Sequence, residues 1–188
     1  MPSGTTCLRF AEVTTRERLR QVGVLRAAVW GAEECFNPAV LRDGMWLDEW
    51  DGTARQWAFL DGDAMVAAAR LSIHEDLSTL PCGAEFRPYL GAMLAPCGYV
   101  SRLVVHPDYR GRGLAAFLDI HRLRAAREAG CRSVAALPVP WRTGQLRRQG
   151  YVTLGPSPVP AETMHDLRIS GDIMVHYLRE IPELPQPR

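Results

Sequence analysis

The sequence lacks the hallmarks of several protein classes. None of its apolar runs approaches the roughly 20 residues that a membrane-spanning helix needs, and residues 1–6 contain no apolar segment typical of a signal peptide. The five cysteines are widely spaced and include no Cys-x-x-Cys pair, which favours reduced thiols over a disulfide framework or a zinc site. We therefore expect a cytoplasmic protein with no metal site and no membrane partner.

The chain also lacks an excess of charge of either sign. Its 22 basic and 21 acidic residues give a formal net charge of +1, and aromatic residues do not alternate with basic ones, so we expect no nucleic-acid partner. Hydrophobic residues make up 47 % of the 188 residues, which predicts one globular domain over 1–188 with a proline-rich tail at about 181–188. No pattern fixes the oligomeric state, although a homodimer is the commonest assembly.

A glycine-rich turn at residues 110–115, Arg-Gly-Arg-Gly-Leu-Ala, is the most informative feature of the chain. It follows an apolar run at 99–105 and precedes a helical pattern, which predicts a strand, a tight turn and a helix N-terminus in succession. Such a turn directs several backbone N–H groups toward one point, where a phosphate or pyrophosphate binds. The turn has neither the Gly-x-x-x-x-Gly-Lys-Ser/Thr pattern of a P-loop nor the three glycines of a dinucleotide fingerprint.

The pattern Arg110-x-x-Gly113-x-Ala115 resembles the Gln/Arg-x-x-Gly-x-Gly/Ala signature of the GCN5-related N-acetyltransferase (GNAT) superfamily. The preceding residues 103–109, Leu-Val-Val-His-Pro-Asp-Tyr, resemble the fourth strand of that family and its short exit. The resemblance implies an α/β (α+β) fold, with a mixed, mostly antiparallel central sheet of about six or seven strands. Helices would flank this sheet, and strands 4 and 5 would splay apart.

The order of predicted elements agrees with that fold along most of the chain. Hydrophobic periodicity and turn signals predict seven strands, at 7–13, 56–60, 64–73, 99–105, 133–137, 151–154 and 172–178. A first helix is predicted after a capping-box match at Thr14-x-x-Glu17, and a short helix at Pro38. Further helices are predicted at about 86–93, 114–129 and 141–149.

The resemblance also implies a cofactor and a reaction. Acetyl-CoA, or another acyl-CoA, would bind with its pyrophosphate at the glycine-rich turn and its pantetheine arm along the fourth strand. The cofactor-binding residues implied in this way are Leu103, Val104, Val105, Arg110, Gly111, Arg112, Gly113, Leu114 and Ala115. The implied function is an N-acetyltransferase, an enzyme that passes the acyl group directly to a primary amine of a small-molecule or peptide acceptor.

An amine attacks a thioester only in its neutral form, although the pKa of an alkylamine is about 10, so a nearby group must accept its proton. We predict His74 and Glu75, at the end of the third strand, as the catalytic residues, ahead of three other acids near the presumed cleft, Glu33, Glu34 and Asp76. The segment 33–51 is acidic and aromatic, which favours a cationic acceptor. We therefore predict substrate-binding roles for Glu33, Glu34 and Trp46.

One departure from the family pattern affects the mechanism. The family often has a tyrosine in a Phe-Tyr-x-x-x-Gly-Phe segment that protonates the leaving thiolate, and the matching position here is Leu146. Leucine cannot donate a proton, so another group, water, or unassisted departure of the thiolate must replace it. The basic residues of the same segment belong either to the cofactor side of the cleft or to an exposed helix face; they are Arg142, Arg147 and Arg148.

Ser101-Arg102-Leu103 on the predicted fourth strand resembles a Ser-Arg-Phe segment of acyl-homoserine-lactone synthases and related N-acyl amino acid synthases. This second resemblance implies a long-chain N-acyltransferase as an alternative, with acyl carrier protein as an alternative donor. Arg102 would then bind substrate, facing Asp48 or Glu49 near an amino-acid-like acceptor, and the insert at 75–97 would line an acyl tunnel. A non-catalytic acyl-CoA sensor is a third hypothesis, motivated by the missing tyrosine.

Overall fold

The computed structural model describes residues 7–179 and 185–186. Within them, seven strands form one sheet in the order β1-β2-β3-β4-β5-β7-β6. The strands are β1 Arg9–Glu12, β2 Arg55–Asp61, β3 Ala64–His74, β4 Cys97–Val105, β5 Ser133–Ala136, β6 Val152–Pro156 and β7 Asp172–Tyr177. Neighbouring strands pair antiparallel except β4 and β5, which are parallel. The predicted fold class, a mixed and mostly antiparallel sheet, is confirmed.

In the described part of the chain, four α-helices accompany the sheet: α1 Arg16–Trp30, α2 Gly83–Phe86, α3 Leu114–Glu128 and α4 Pro140–Arg148. The N-cap of α1 is Thr15 rather than the predicted Thr14, and the Thr15 hydroxyl accepts a hydrogen bond from the Arg18 amide at 3.2 Å. The helix predicted at 86–93 is instead α2 followed by a 3₁₀ helix, Arg87–Ala92. Pro88 lacks the amide hydrogen that would continue α2 in regular form.

The helices α1 and α3 pack on opposite faces of the sheet. Side chains alternate along β3, so successive residues of this strand contact different helices. Ala67, Ala69 and Leu71 belong to the apolar cluster that includes α3. Ala68 belongs instead to the cluster that includes Val22 of α1. Both faces of β3 are therefore buried, which explains why its sequence is a continuous apolar run rather than an alternating one.

A β-bulge in β4 changes which of its residues face α3. The register with β3 shifts between Ser101 and Val104, so Arg102 and Leu103 together stand opposite a single β3 residue. Arg102 has a left-handed backbone angle, φ +55°, at this irregularity. Val100 packs in the α3 cluster before the bulge and Leu103 packs against it after the bulge, although an uninterrupted strand would point them to opposite faces.

The insert at residues 75–97 covers the sheet face opposite α3. Phe86 is fully buried there, with its ring edge-on to Tyr99 at a centroid distance of 5.5 Å, in a cluster that includes Ile173. No helix within the described residues is long and apolar enough to cross a membrane. The predicted proline-rich tail at 181–188 lies outside the described residues apart from 185–186.

Candidate active site

A cleft opens where β4 and β5 part. Their parallel pairing runs from Cys97 and Ser133 only to Val100 and Ala136, and the two strands then diverge. The cleft has a volume of about 680 Å³. It is bounded by the second half of β4, the glycine-rich turn, the start of α3, the segment after β5, and α4. The predicted splay between strands 4 and 5 is confirmed.

The glycine-rich turn opens onto this cleft. Gly111 and Gly113 have left-handed φ angles of +78° and +82°, which a residue with a Cβ adopts only with strain. Gly113 is the N-cap of α3, and no side chain among the described residues caps the helix there, so its first N–H groups remain available to a ligand. The predicted turn residues that line the cleft are Arg110, Gly111, Gly113, Leu114 and Ala115.

Arg112, the remaining predicted residue of the turn, does not line the cleft. Its guanidinium lies 4.7 Å over the Tyr109 ring and donates a hydrogen bond to the Asp108 carbonyl oxygen at 3.3 Å. The Tyr109 hydroxyl donates to the Asp61 carboxylate at 2.6 Å. These contacts fix the outer side of the turn to the β2–β3 hairpin and leave Arg110 as the arginine of the turn on the cleft side.

The second half of β4 forms one wall of the cleft. Leu103, Val104 and Val105 line it, as does Arg102 at the bulge. Beyond Val100, the strands of the described chain leave the β5-facing side of β4 without a ladder partner. Backbone groups on that side can therefore bond to an extended ligand as a neighbouring strand would.

Arg102 is held by two carboxylates from distant parts of the chain. Its Nε and Nη2 donate to Asp48 at 3.0 and 2.7 Å, and Nη2 also bonds to Asp166. The guanidinium lies 4.3 Å over the Trp46 ring. Burial alone would lower the pKa of Arg102, but the charges of Asp166 and Asp48 outweigh it and raise that pKa, so the side chain stays cationic. Several of its donors are thus engaged within the protein.

Asp48 connects Arg102 to a deeper ion pair. It also accepts a hydrogen bond from Arg70, whose guanidinium reaches Asp51 at 3.0 Å. Burial opposes ionisation of Asp48, but the hydrogen bond from Arg70 and the charges of both arginines leave the pKa of Asp48 lowered overall. The sequence predicted Asp48 or Glu49 as the carboxylate that faces Arg102. In the structure Arg102 binds Asp48, whereas Glu49 is exposed.

A second charged cluster lies between α3 and α4. Asp119 is buried and binds Arg122 at 2.6 Å as well as Arg142 of α4. Arg122 also donates to the carbonyl oxygens of Arg70 at 3.0 Å and Ser101 at 3.1 Å, beside the bulge. Asp119, Arg122 and Arg142 all line the cleft. Sequence reasoning missed the first two, although opposite charges three residues apart within an otherwise apolar helix were an available signal.

The opposite wall of the cleft comes from α1 and later segments, through Val29, Trp30, Glu33, Trp46 and Leu167. Within the described chain, the cleft lining contains two acids, Glu33 and Asp119. Asp119 is bound by two arginines, whereas Glu33 is half-buried and makes no ion pair with the described residues. The predicted Glu34 is exposed and lies outside the lining.

The predicted catalytic residues His74 and Glu75 lie outside the cleft lining. His74 is buried, with its ring nitrogens 3.0 Å from Thr79 Oγ1 and 2.8 Å from Ser72 Oγ, and burial lowers its pKa. Glu75 is exposed. This placement gives no geometric support to proton transfer by either residue, because neither borders the space where an amine and a thioester would meet.

Helix α4 contributes Trp141, Arg142, Gln145 and Leu146 to the cleft. Trp141 is 59 % exposed, and Leu146, at the position where the family often has tyrosine, is buried. Arg147 and Arg148 are exposed and outside the lining. Of the three arginines on this helix, Arg142 is therefore the one that lines the cleft.

The sequence places this site in a known family. The profile described as "Acetyltransferase (GNAT) family" matches residues 25–144, which include β4, the glycine-rich turn and α3. The chain belongs to this family. Membership indicates acyltransferase activity, and GNAT enzymes generally use an acyl-CoA. No curated protein matches the sequence.

Solved structures of synthases and of an acetyltransferase superimpose on most of this GNAT chain. FeeM, an N-acyl amino acid synthase from uncultured soil microbes, matches with a TM-score of 0.73 and 13 % identity over 94 % of this chain and 93 % of its own. BjaI, a CoA-dependent acyl-homoserine lactone synthase solved with MTA, gives 0.68 and 19 % over 96 % and 93 %. A GNAT-family acetyltransferase from Staphylococcus aureus gives 0.59 and 9 % over 92 % and 100 %. Both predicted resemblances, to GNAT enzymes and to these synthases, are confirmed at the level of fold.

The residues of the turn fit the diphosphate of CoA. An uncapped helix N-terminus, two left-handed glycines and the adjacent Arg110 provide backbone and cationic donors for an anion. A Cβ built on Gly111 would meet no atom within 4 Å, and one on Gly113 would meet only a carbonyl oxygen at 3.8 Å. The space into which a side chain at either glycine would project is therefore largely open.

Proposed function

We propose that this GNAT protein is an N-acyltransferase that uses acetyl-CoA as donor and a primary amine as acceptor. The observation that carries the proposal is the uncapped N-terminus of α3 at the end of a cleft that continues along an unpaired side of β4. The amides of residues 111–115 and the side chain of Arg110 would hold the pyrophosphate. The backbone of residues 103–105 would hold the pantetheine arm. The bound cofactor supplies the acyl group in activated form, as a thioester.

Glu33 is the proton acceptor in this proposal, in place of His74. It is half-buried on the cleft wall opposite β4, and no arginine of the described chain neutralises it. It takes the proton that the amine loses, directly or through one water molecule. A backbone N–H on the unpaired side of β4 polarises the thioester carbonyl, which favours the developing negative charge on its oxygen.

The cleft wall opposite β4, where the acceptor would bind, favours an amine attached to an apolar or aromatic group. Trp30 and Trp46 meet edge to face at a centroid distance of 6.3 Å, and Val29 and Leu167 extend the apolar surface. Glu33 at the same wall attracts the ammonium form of the acceptor before its proton is removed. An aralkylamine or an amino-acid derivative with an apolar side chain meets both requirements.

The proposal is tested by release of free CoA from acetyl-CoA in the presence of a panel of amines. The panel should contain aralkylamines, polyamines, amino acids and peptide N-termini, and each product should be verified by mass. Turnover that depends on one amine class supports the proposal. When no amine is present, the only expected reaction is hydrolysis of acetyl-CoA. Tight binding of acetyl-CoA without turnover of any amine would instead support the non-catalytic sensor.

A long-chain N-acyltransferase is the second candidate, favoured by Ser101 and Arg102 on the cleft wall and by the fold of FeeM and BjaI. Two observations favour the shorter donor. The insert at 75–97 contributes no residue to the cleft lining, so it does not form the expected acyl tunnel there. Arg102 already binds Asp48 and Asp166.

A series of acyl-CoA donors from two to twelve carbons, with acyl carrier protein thioesters in parallel, separates the two candidates. Highest kcat/KM with the acetyl donor supports the first. Highest kcat/KM with long chains, or with a carrier-protein thioester, supports the second.

A further inference from the structure

The proposed reaction produces a thiolate, which a cation beside the breaking acyl–sulfur bond would stabilise. Helix α4 contributes four residues to the cleft lining. Trp141 and Leu146 are apolar and Gln145 is neutral, so Arg142 is the charged residue among them. Arg142 and Leu146 are four residues apart and therefore share a face of α4. The position that lacks a tyrosine is thus next to a cation on the same side of the cleft.

Arg142 lies between the phosphate end of the cleft and the bulge in β4. Helix α3 runs back along β4, because Leu114 follows the turn and Arg122 contacts the Ser101 carbonyl oxygen. Arg142 bonds to Asp119, which is about 7.5 Å along the helix axis from Leu114, whereas Arg122 is about 12 Å along it. In an acyl-CoA the sulfur precedes the acyl carbon along the arm, so a carbonyl at the bulge places the sulfur on the side toward Arg142.

The charge around Arg142 favours an anion. Asp119 has two arginine partners, Arg122 and Arg142, so this cluster keeps one net positive charge, and Gln149 donates a further hydrogen bond to Asp119 at 3.3 Å. The nearby Tyr151 is neutral, because burial raises its pKa. Arg142 bonds to Asp119 through Nη2, and its Nε and Nη1 make no hydrogen bond to the described residues.

We propose that Arg142 is a catalytic residue that stabilises the CoA thiolate as it leaves. The inference rests on the proposed function. The bound ammonium first loses one proton to solvent. As the neutral amine nitrogen then bonds to the acyl carbon, the carbon–sulfur bond breaks, its electron pair stays on sulfur beside the guanidinium, and the nitrogen's second proton goes to Glu33. An arginine does not lose its proton in a protein. Arg142 therefore acts through charge and hydrogen bonding, and the thiolate takes its proton from solvent after release.

Calorimetric titration with CoA and with desulfo-CoA, which lacks the sulfur, tests the proposal without turnover. Both ligands should be titrated between about pH 6.5 and about pH 9.5, because a thiol pKa is about 8.5. The protein forms are the wild type, Arg142→Met, and the matched control Arg148→Met, which removes an exposed arginine of the same helix. Unfolding curves confirm that each variant is folded before titration.

In the wild type and in Arg148→Met, the ratio of CoA to desulfo-CoA affinity should rise about tenfold over this pH range, which corresponds to a bound thiol pKa lowered by about one unit. In Arg142→Met the ratio should not change with pH. Arg142→Lys, which keeps the charge but not the planar fork, should retain part of the rise.

An equal rise in the wild type and Arg142→Met would overturn the proposal, as would a ratio that does not change with pH in the wild type. Failure of desulfo-CoA to bind the wild type would contradict the proposed function itself. The kinetic counterpart is a fall in kcat of about 10- to 100-fold in Arg142→Met, with KM for acetyl-CoA changed by less than about threefold.

Discussion

Arg122 donates a hydrogen bond from Nη1 to the carbonyl oxygen of Ser101 at 3.1 Å, and thereby ties α3 to the bulge of β4. The same nitrogen donates to the Arg70 carbonyl oxygen on β3, and Nη2 binds Asp119. One buried side chain thus connects the helix whose N-terminus faces the cleft to the strand that forms the cleft wall. The position of the glycine-rich turn relative to the bulge depends on this connection.

Replacing Arg122 with Met should lower the free energy of unfolding by about 3 to 5 kcal/mol, because two buried carbonyl oxygens lose their donor and Asp119 loses one of its two cations. Urea unfolding measures the change. The control is Arg127→Met, which removes an exposed arginine from the last turn of α3 and should cost less than about 0.5 kcal/mol. Equal costs for the two variants would show that the buried connection contributes nothing specific.

Replacing Glu33 with Gln should lower kcat by about 10² to 10⁴-fold, because the amide cannot accept the amine proton. The unfolding transition should stay close to that of the wild type, since Glu33 makes no ion pair with the described residues. Steady-state kinetics with the best amine of the panel measures the loss. Glu34→Gln changes the exposed neighbouring acid outside the cleft lining and should keep full activity. A fully active Glu33→Gln would exclude the proposed acceptor of the proton.

Replacing His74 with Gln should leave kcat within about twofold of the wild type but change how stability depends on pH. Burial lowers the pKa of His74 below the value of about 6.5 in the unfolded chain, so between these two values the unfolded chain binds more protons. The contribution of neutral His74 to the free energy of unfolding is therefore fully present above about pH 6.5 and is lost as the pH falls toward the folded pKa. Urea unfolding at about pH 7.5 and about pH 5.5 should show a smaller loss in His74→Gln; an unchanged loss would contradict this account.

Replacing Asp48 with Asn should lower the free energy of unfolding by about 2 to 3 kcal/mol, less than for a fully buried pair because its side chain is partly exposed. The loss follows because Arg70 and Arg102 share that carboxylate. Glu49→Gln, at the exposed neighbouring acid, is the matched control and should be nearly neutral. Thermal and urea unfolding of the two variants compare them directly; similar stability would mean that the network around Arg102 is not held by Asp48.

Local patterns predicted the parts of the molecule that depend on neighbours in sequence. The strand, turn and helix around Gly113 follow from an apolar run, two glycines and a helical period, and the structure has them in that order. The splay of β4 from β5 was implied by the family resemblance, and the pairing ends at Val100 and Ala136. The strand, turn and helix could be predicted because a backbone conformation and a short-range pattern determine them, whereas the splay followed from the resemblance alone.

The side-chain arrangement of the site depends on contacts that no local pattern encodes. Arg102 meets Asp166, which is 64 residues later in the chain, and its left-handed backbone interrupts a run of residues that looks like an ordinary strand. His74 ends the right strand, but its ring turns toward Ser72 and Thr79 instead of the cleft. Glu33, which follows α1, borders the cleft, and α1 itself packs against β4.

The central claim is that the amides at the start of α3 bind the pyrophosphate of acetyl-CoA, and calorimetric titration of Gly113→Glu tests it most directly. The matched control is Gly62→Glu, because Gly62 also has a left-handed φ, +58°, and open space around it, but lies in the β2–β3 turn outside the cleft. We predict that the wild type and Gly62→Glu bind acetyl-CoA with similar affinity. Gly113→Glu should bind at least about 100-fold more weakly, a loss of about 2.7 kcal/mol. Equal binding by Gly113→Glu and the wild type, or no binding by the wild type, would contradict the account.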